Sequence, residues 1–167
     1  TKYRVAGSLE NSDKIMMDLK SNAVVFIIHN RDSKPVGYQR RYVSKFAKPK
    51  TKTSLGFTRD FVMAFPNKGD IVVCEGPFTA LSAWHYGFYA LCTFGCNFTN
   101  NQFNAIMALA EKYNRKILFG KDSDAAGEKT AKSFKGRLIL NGLDCRNLVP
   151  EEGKDLNDSW QAGKGFR

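Results

Sequence analysis

The chain has 167 residues, enough for one domain or one and a half. Its apolar content is ordinary for a globular protein, and no apolar run approaches the roughly 20 residues that a bilayer-spanning helix needs, which sets aside a helical membrane protein. The net charge is +10 and unevenly spread: residues 1–60 carry 13 Lys/Arg against 5 Asp/Glu, the remainder 13 against 11. A basic first third fits a polyanionic partner such as nucleic acid, but it equally fits a surface tuned for solubility. No signal-peptide pattern is visible. Beginning at Thr1 rather than Met and ending at Arg167, the chain reads as a piece of something longer.

Residues 1–66 read as strands and turns. "DKIMMDLK" suggests a short helix. "NAVVFIIHN" is a buried-strand run and "RDSKPVG" a turn with Pro and Gly. "YQRRYVSKFA" follows with aromatic and β-branched residues, so a hairpin is expected from about 23 to 46. "KPKTKTS" is polar and basic and reads as an exposed loop.

From residue 69 the pattern becomes regular. "GDIVVCEG" is a strand ending at Glu75-Gly76. "PFTALSAWHYG" is a helix with Pro77 in its first turn and Gly87 closing it. "FYALCTFG" is a second strand, and "NFTNNQFNAIMALAEKYN" a second helix with Thr99 or Asn100 as its cap. "RKILF" is a third strand, residues 124–142 a third helix closed by Asn141-Gly142, and "DCRNLVP" a fourth strand. This β-α-β-α-β-α-β succession predicts an α/β fold, a mostly parallel sheet with helices on both faces. A smaller, basic, β-rich part precedes it. The expected division is 1–66, 67–160 and a tail over 161–167.

In such sheets the carboxyl ends of the strands share one rim, where ligands bind. Glu75 closes the first strand, Asp122 and Asp124 the third, and Asp155 and Asp158 in "GKDLND" follow the fourth. Carboxylates gathered at one rim repel, so they need a proton or a cation. An all-oxygen donor set suits Mg²⁺ or Mn²⁺, which take further ligands from water and phosphate. Each acid also has an ordinary reading. Asp124 could simply cap the third helix, Glu75-Gly76 could be only a strand end, and "KDLND" only an exposed loop.

The cysteines, Cys74, Cys92, Cys96 and Cys145, form no C-x-x-C pair, and no His cluster joins them. A zinc site and a disulfide framework are not expected, and the cytoplasm is the expected compartment. His85, beside Trp84 and Tyr86, reads as packing. His29 ends a strand without a catalytic partner.

The segments "VVCEGPFTALSAWHYGFYALCTFG", "GKDSDAAGEKTA" and "EEGKDLNDSW" together resemble the TOPRIM domain of DnaG-type bacterial and phage primases, over about residues 69–160. The Asp-x-Asp-x-x-Gly match at Asp122, Asp124 and Gly127 is the most specific. Two positions depart from the pattern: Thr79 stands where many relatives have an acid, and Asn157, with Asp158 next to it, stands where a second downstream acid often lies.

The resemblance implies catalytic roles for Glu75, Asp122 and Asp124, with metal bound by Glu75, Asp122, Asp124 and Asp155. It also implies that residues 1–66 match the basic subdomain that guides template and nucleotides. There Arg40, Arg41, Lys45 and Lys50, with Lys121 beside the acids, are candidate phosphate contacts, and Tyr38 and Tyr42 offer stacking surfaces. Neighbouring strand residues point to opposite faces, so only one of Arg40 and Arg41 is expected to face a cleft.

The activity so implied is primer synthesis on single-stranded DNA from ribonucleoside triphosphates, with a replicative helicase as a further partner and no membrane. A TOPRIM nuclease of the OLD type, or a nucleic-acid-binding module without catalysis, would use the same fold.

Overall fold

The computed structural model describes residues 13–30, 32–44, 46–57, 60–95, 97–120 and 125–166. The chain divides into two compact units, Thr1–Phe61 and Val62–Arg167.

The first unit holds a four-stranded antiparallel sheet in chain order: β1 (Ile15–Asp18), β2 (Ala23–His29), β3 (Pro35–Tyr42) and β4 (Thr51–Thr53). The expected hairpin is β2–β3. Its turn is drawn in by the Asn30 side-chain oxygen, which accepts from the backbone N–H groups of Asp32 and Lys34 at 3.0 Å each.

Two local expectations are corrected. "DKIMMDLK" contributes a strand rather than a helix. Asp18 closes the β1–β2 turn by accepting from the Ser21 N–H at 3.2 Å and its hydroxyl at 2.6 Å, and Ile15–Asp18 then pairs with Ala23–Phe26. The "KPKTKTS" segment is not all loop either, since Thr51–Thr53 pairs with Gln39–Arg41.

The second unit is built on a five-stranded sheet, order β5-β7-β6-β8-β9. The strands are β5 (Met63–Phe65), β6 (Ile71–Cys74), β7 (Tyr89–Cys92), β8 (Ile117–Gly120) and β9 (Cys145–Leu148). All neighbours are parallel except the edge strand β5, which runs antiparallel to β7. The helices are α1 (Pro77–His85), α2 (Asn100–Tyr113), α3 (Ala125–Leu140) and α4 (Leu156–Gln161).

Strand alternation divides the core between two faces. Ile71, Val73, Leu91, Ile117 and Phe119 pack with Phe103 and Ile106 of α2 and Phe134 and Leu138 of α3. On the other face α1 packs against α4, and Leu156 of α4 lies against Gly120 of β8. Helices on both faces are therefore observed. The central strand β6 is fully buried at all four residues, as a strand covered on both sides must be.

The short helix α4 stands where the ordinary reading of "KDLND" was an exposed loop. Asp155 caps it by accepting from the Asp158 N–H at 2.9 Å, and Leu156, Asn157 and Ser159 are buried. The approach to α4 requires Gly153, whose φ is +80°; a Cβ there would lie 2.3 Å from that of Asp158. Beyond α4 the chain folds back. The Ser159 hydroxyl donates to Gly165 O at 2.6 Å, Phe166 bridges to Pro150, and its ring packs edge-on against Tyr86 and Phe88. Among the described residues no helix is long and apolar enough to cross a membrane.

Candidate active site

The carboxyl ends of the parallel strands are level. Cys74 is in register with Cys92 of β7 and Gly120 of β8, and Gly120 with Leu148 of β9. The residues that follow therefore leave the sheet at one rim. Glu75 is the first beyond β6, and Lys121 and Asp122 are the first two beyond β8.

The segment bearing Asp155 packs against the last residue of β8. A Cβ on Gly120 would lie 2.8 Å from Cys74 Sγ and 3.2 Å from Leu156 Cδ1. Hence the residue before Glu75 and the residue after Asp155 both lie against Gly120, the residue before Lys121-Asp122. Lys121, Asp122 and Asp124 themselves lie outside the described residues.

Glu75 is half-buried, with one carboxylate oxygen, Oε1, shielded from solvent. Its main chain is held from the β7 side. Gly95 N donates to Glu75 O at 3.0 Å, and Thr93 N donates to Cys74 O at 3.0 Å. Helix α1 starts at once after Gly76 with Pro77 at its first position and carries Phe78, Ala80 and Leu81 into the core. Asp155 is partly buried, with Oδ1 engaged in capping α4.

The two positions that depart from the TOPRIM pattern are both inside the fold. Thr79 is 4% exposed and Asn157 6%, and Asn157 Oδ1 lies 3.4 Å from the Ser82 hydroxyl, linking α4 to α1.

Carboxylates at a partly shielded rim match the donor chemistry of a hard divalent cation. Among the described residues no group of three or more His, Cys, Asp or Glu is close enough to hold a metal ion, so a complete site would need Asp122 and Asp124. Two of the cysteines are poor nucleophiles. Burial pushes the Cys92 thiol far up, and the Cys145 thiol up to about 11, so both stay protonated near neutral pH. His85 packs edge-on against Trp160 with ring centroids 5.0 Å apart, in agreement with its reading as a packing residue.

In the first unit, Arg40 and Arg41 lie on opposite faces of the sheet. Arg40 shares its face with Tyr38 and Tyr42 and is paired across β4 with Lys52. Its guanidinium sits 5.5 Å over the Tyr38 ring and 3.1 Å from the Asp18 carboxylate. Arg41 instead donates to the Thr51 hydroxyl at 2.8 Å. Lys50 is exposed, and Lys45 lies outside the described residues. Sequence reading missed the Asp18–Arg40 pair, because nothing local announces a partner 22 positions away.

A family model described as Toprim-like matches residues 72–160, more than half of the chain. The chain belongs to the Toprim-like family. Among curated proteins, the DNA primase of Clostridium acetobutylicum is 26% identical over 92% of this chain and 27% of its own length, so this Toprim-like chain spans about a quarter of that relative. Among solved structures, the primase fragment of the bacteriophage T7 primase-helicase protein matches with a TM-score of 0.66 at 18% identity, over 93% of this chain and 66% of that one. A DNA primase domain from Pseudomonas aeruginosa matches with a TM-score of 0.65 at 20% identity, over 95% and 54%. At these identities the structures speak for the fold. Their coverage takes in both units, not the Toprim-like part alone.

Proposed function

We propose that this chain is the RNA-polymerase core of a DnaG-type DNA primase, making RNA primers on single-stranded DNA from ribonucleoside triphosphates. One observation supports the reading: Cys74 and Leu156 both lie against Gly120, so the residue before Glu75 and the residue after Asp155 come to the end of the strand that precedes Asp122 in the sequence. Acids from three distant points of the sequence at one rim of a Toprim-like sheet are what phosphoryl chemistry needs. The relatives named as primases add support.

Glu75, Asp122 and Asp124, with Asp155 outside them, would hold Mg²⁺ or Mn²⁺. Such an ion lowers the pKa of an attacking hydroxyl and neutralises charge developing on phosphate oxygens. In the reaction a 3′-hydroxyl attacks the α-phosphate of a ribonucleoside triphosphate, a P–O bond forms, and pyrophosphate leaves. Glu75 either ligates the ion or accepts the hydroxyl proton. Lys121, which follows β8 in the sequence, would meet phosphate oxygens. Arg40 on its aromatic face, together with Lys45 and Lys50, would hold template or triphosphate, with Arg41 on the opposite face a weaker candidate. A replicative helicase is the expected further partner and the cytoplasm the expected setting, the T7 neighbour being part of a primase-helicase.

The test is incubation with single-stranded DNA, four ribonucleotides and Mg²⁺ or Mn²⁺, scoring RNA and template on one gel. New RNA over an intact template is expected. Shortened template without RNA would replace the proposal with a nuclease, and unchanged template without RNA would leave a binding module.

A further inference from the structure

Thr93 and Gln102 are fully buried polar residues in an otherwise apolar region; the Thr93 hydroxyl reaches the strand end that precedes Glu75, and Gln102 bonds the main chain of Thr93. The Thr93 hydroxyl lies 3.2 Å from Cys74 O and 3.0 Å from Gly95 O, so its one proton is shared between two carbonyls. Gly95 N in turn donates to Glu75 O. Gln102 Nε2 donates to Thr93 O at 2.9 Å.

At its other end Gln102 belongs to a capping box. Its backbone N–H donates to the Thr99 hydroxyl and its Oε1 accepts from Thr99 N, each at 3.1 Å. The chain of bonds thus runs from the first turn of α2 through Gln102 and Thr93 to the main chain of Cys74 and Glu75. Burying two polar side chains is unfavourable unless their bonds are made, and here they are. A fold needing only a filled core would use Val and Leu at these places. The polar pair fixes the loop after β7 against the end of β6 at defined distances, which apolar packing does not do.

We propose that Thr93 and Gln102 are positioning residues for Glu75: they set the direction in which its carboxylate leaves the sheet and so the affinity of the rim for a divalent cation. The proposal rests on the reading of Glu75 as a metal-binding residue. Both side chains act through the main chain rather than as ligands. Loss of the Thr93 hydroxyl removes its bonds to Gly95 O and Cys74 O, leaving Cys74 O held by Thr93 N, and loosens the loop that holds the main chain of Glu75, while the core volume stays nearly the same if Val replaces Thr.

The test is the binding of Mn²⁺ to the full chain, followed by titration calorimetry and by the electron paramagnetic resonance signal of unbound Mn²⁺, alongside thermal unfolding without metal. Thr93→Val is expected to weaken Mn²⁺ binding about three- to tenfold, Thr93→Ser to stay within about twofold of the parent, and Glu75→Gln to remove the site. Gln102→Leu serves as a second variant, expected to weaken binding in the same direction. If Glu75→Gln abolishes binding while Thr93→Val and Gln102→Leu bind as the parent does, the positioning role is overturned and the metal site stands. If Glu75→Gln binds as the parent does, the metal site falls, and the positioning role with it. If Thr93→Val and Thr93→Ser weaken binding equally and only in step with a lower melting temperature, Thr93 is a packing residue.

Discussion

Gly120 and Leu156 meet closely at the end of β8: a Cβ on Gly120 would come within 3.2 Å of Leu156 Cδ1 and 2.8 Å of Cys74 Sγ. Gly120 ends the strand that leads to Asp122, and Leu156 is the first residue of the helix that Asp155 caps. The close approach ties two acid-bearing segments to the central strand.

Gly120→Ala should therefore damage both stability and site. The Leu156 methyl can yield, but Cys74 sits on the fully buried strand β6 and has little room. A loss of about 1–3 kcal/mol in urea unfolding is expected, as for other overpacked cores. Weaker Mn²⁺ binding by the folded variant should accompany it. Parent-like stability and binding would show that the three segments are not tightly packed there.

The two arginines of β3 should be unequal. Arg40 lies with Tyr38, Tyr42 and Lys52 on one face, whereas Arg41 is on the other face and bonded to Thr51. Arg40→Ala is expected to weaken single-stranded DNA binding and to reduce the magnitude of its salt slope by about 1, as for the loss of one phosphate contact. Arg41→Ala should change either quantity much less. Fluorescence anisotropy with a labelled oligonucleotide across a salt series measures both. Equal losses would remove the distinction between the faces.

Asp18 provides a pH signature. The Ser21 hydroxyl and N–H, and then the Arg40 guanidinium, hold its carboxyl below the ordinary value of 3.8. A carboxyl depressed by folding contributes stability that is fully present above its unfolded value and is lost as the pH falls through the folded one. The melting temperature of the parent should then fall more steeply than that of Asp18→Asn as the pH drops below about 4, and the two should run parallel between pH 5 and 7. Identical acid limbs would show that the pair with Arg40 and the bonds to Ser21 do not persist in solution.

Much of the second unit is legible in the sequence because its signals are local and agree with one another. Continuous apolar runs mark strands buried on both sides, Pro77 and Thr99 mark helix starts, and Gly142 follows the end of α3 with a positive φ. The elements that escape are those whose stability comes from elsewhere. Ile15–Asp18 has Met and Leu neighbours that suit a helix, and becomes a strand because β2 offers it a partner. Thr51–Thr53 has no apolar alternation and is held by its ladder to β3. With six residues, α4 is too short for helical periodicity to show, though Asp155 followed by Leu156 and Trp160 one turn apart carried a usable signal. Glu75 was visible as the residue that follows a strand. The bracing of Glu75 by Thr93 and Gln102 was not, although Thr99-x-x-Gln102 is readable as a capping box.

Whether Glu75 and Asp124 serve one ion is best decided by a double-mutant cycle on Mn²⁺ affinity with Glu75→Gln, Asp124→Asn and the double variant. If both hold the same ion, each single change should weaken binding strongly and the double little more than the worse single, a coupling of about 1–3 kcal/mol. Independent, additive effects, or a Glu75→Gln variant that binds Mn²⁺ like the parent, would contradict a shared site at this rim.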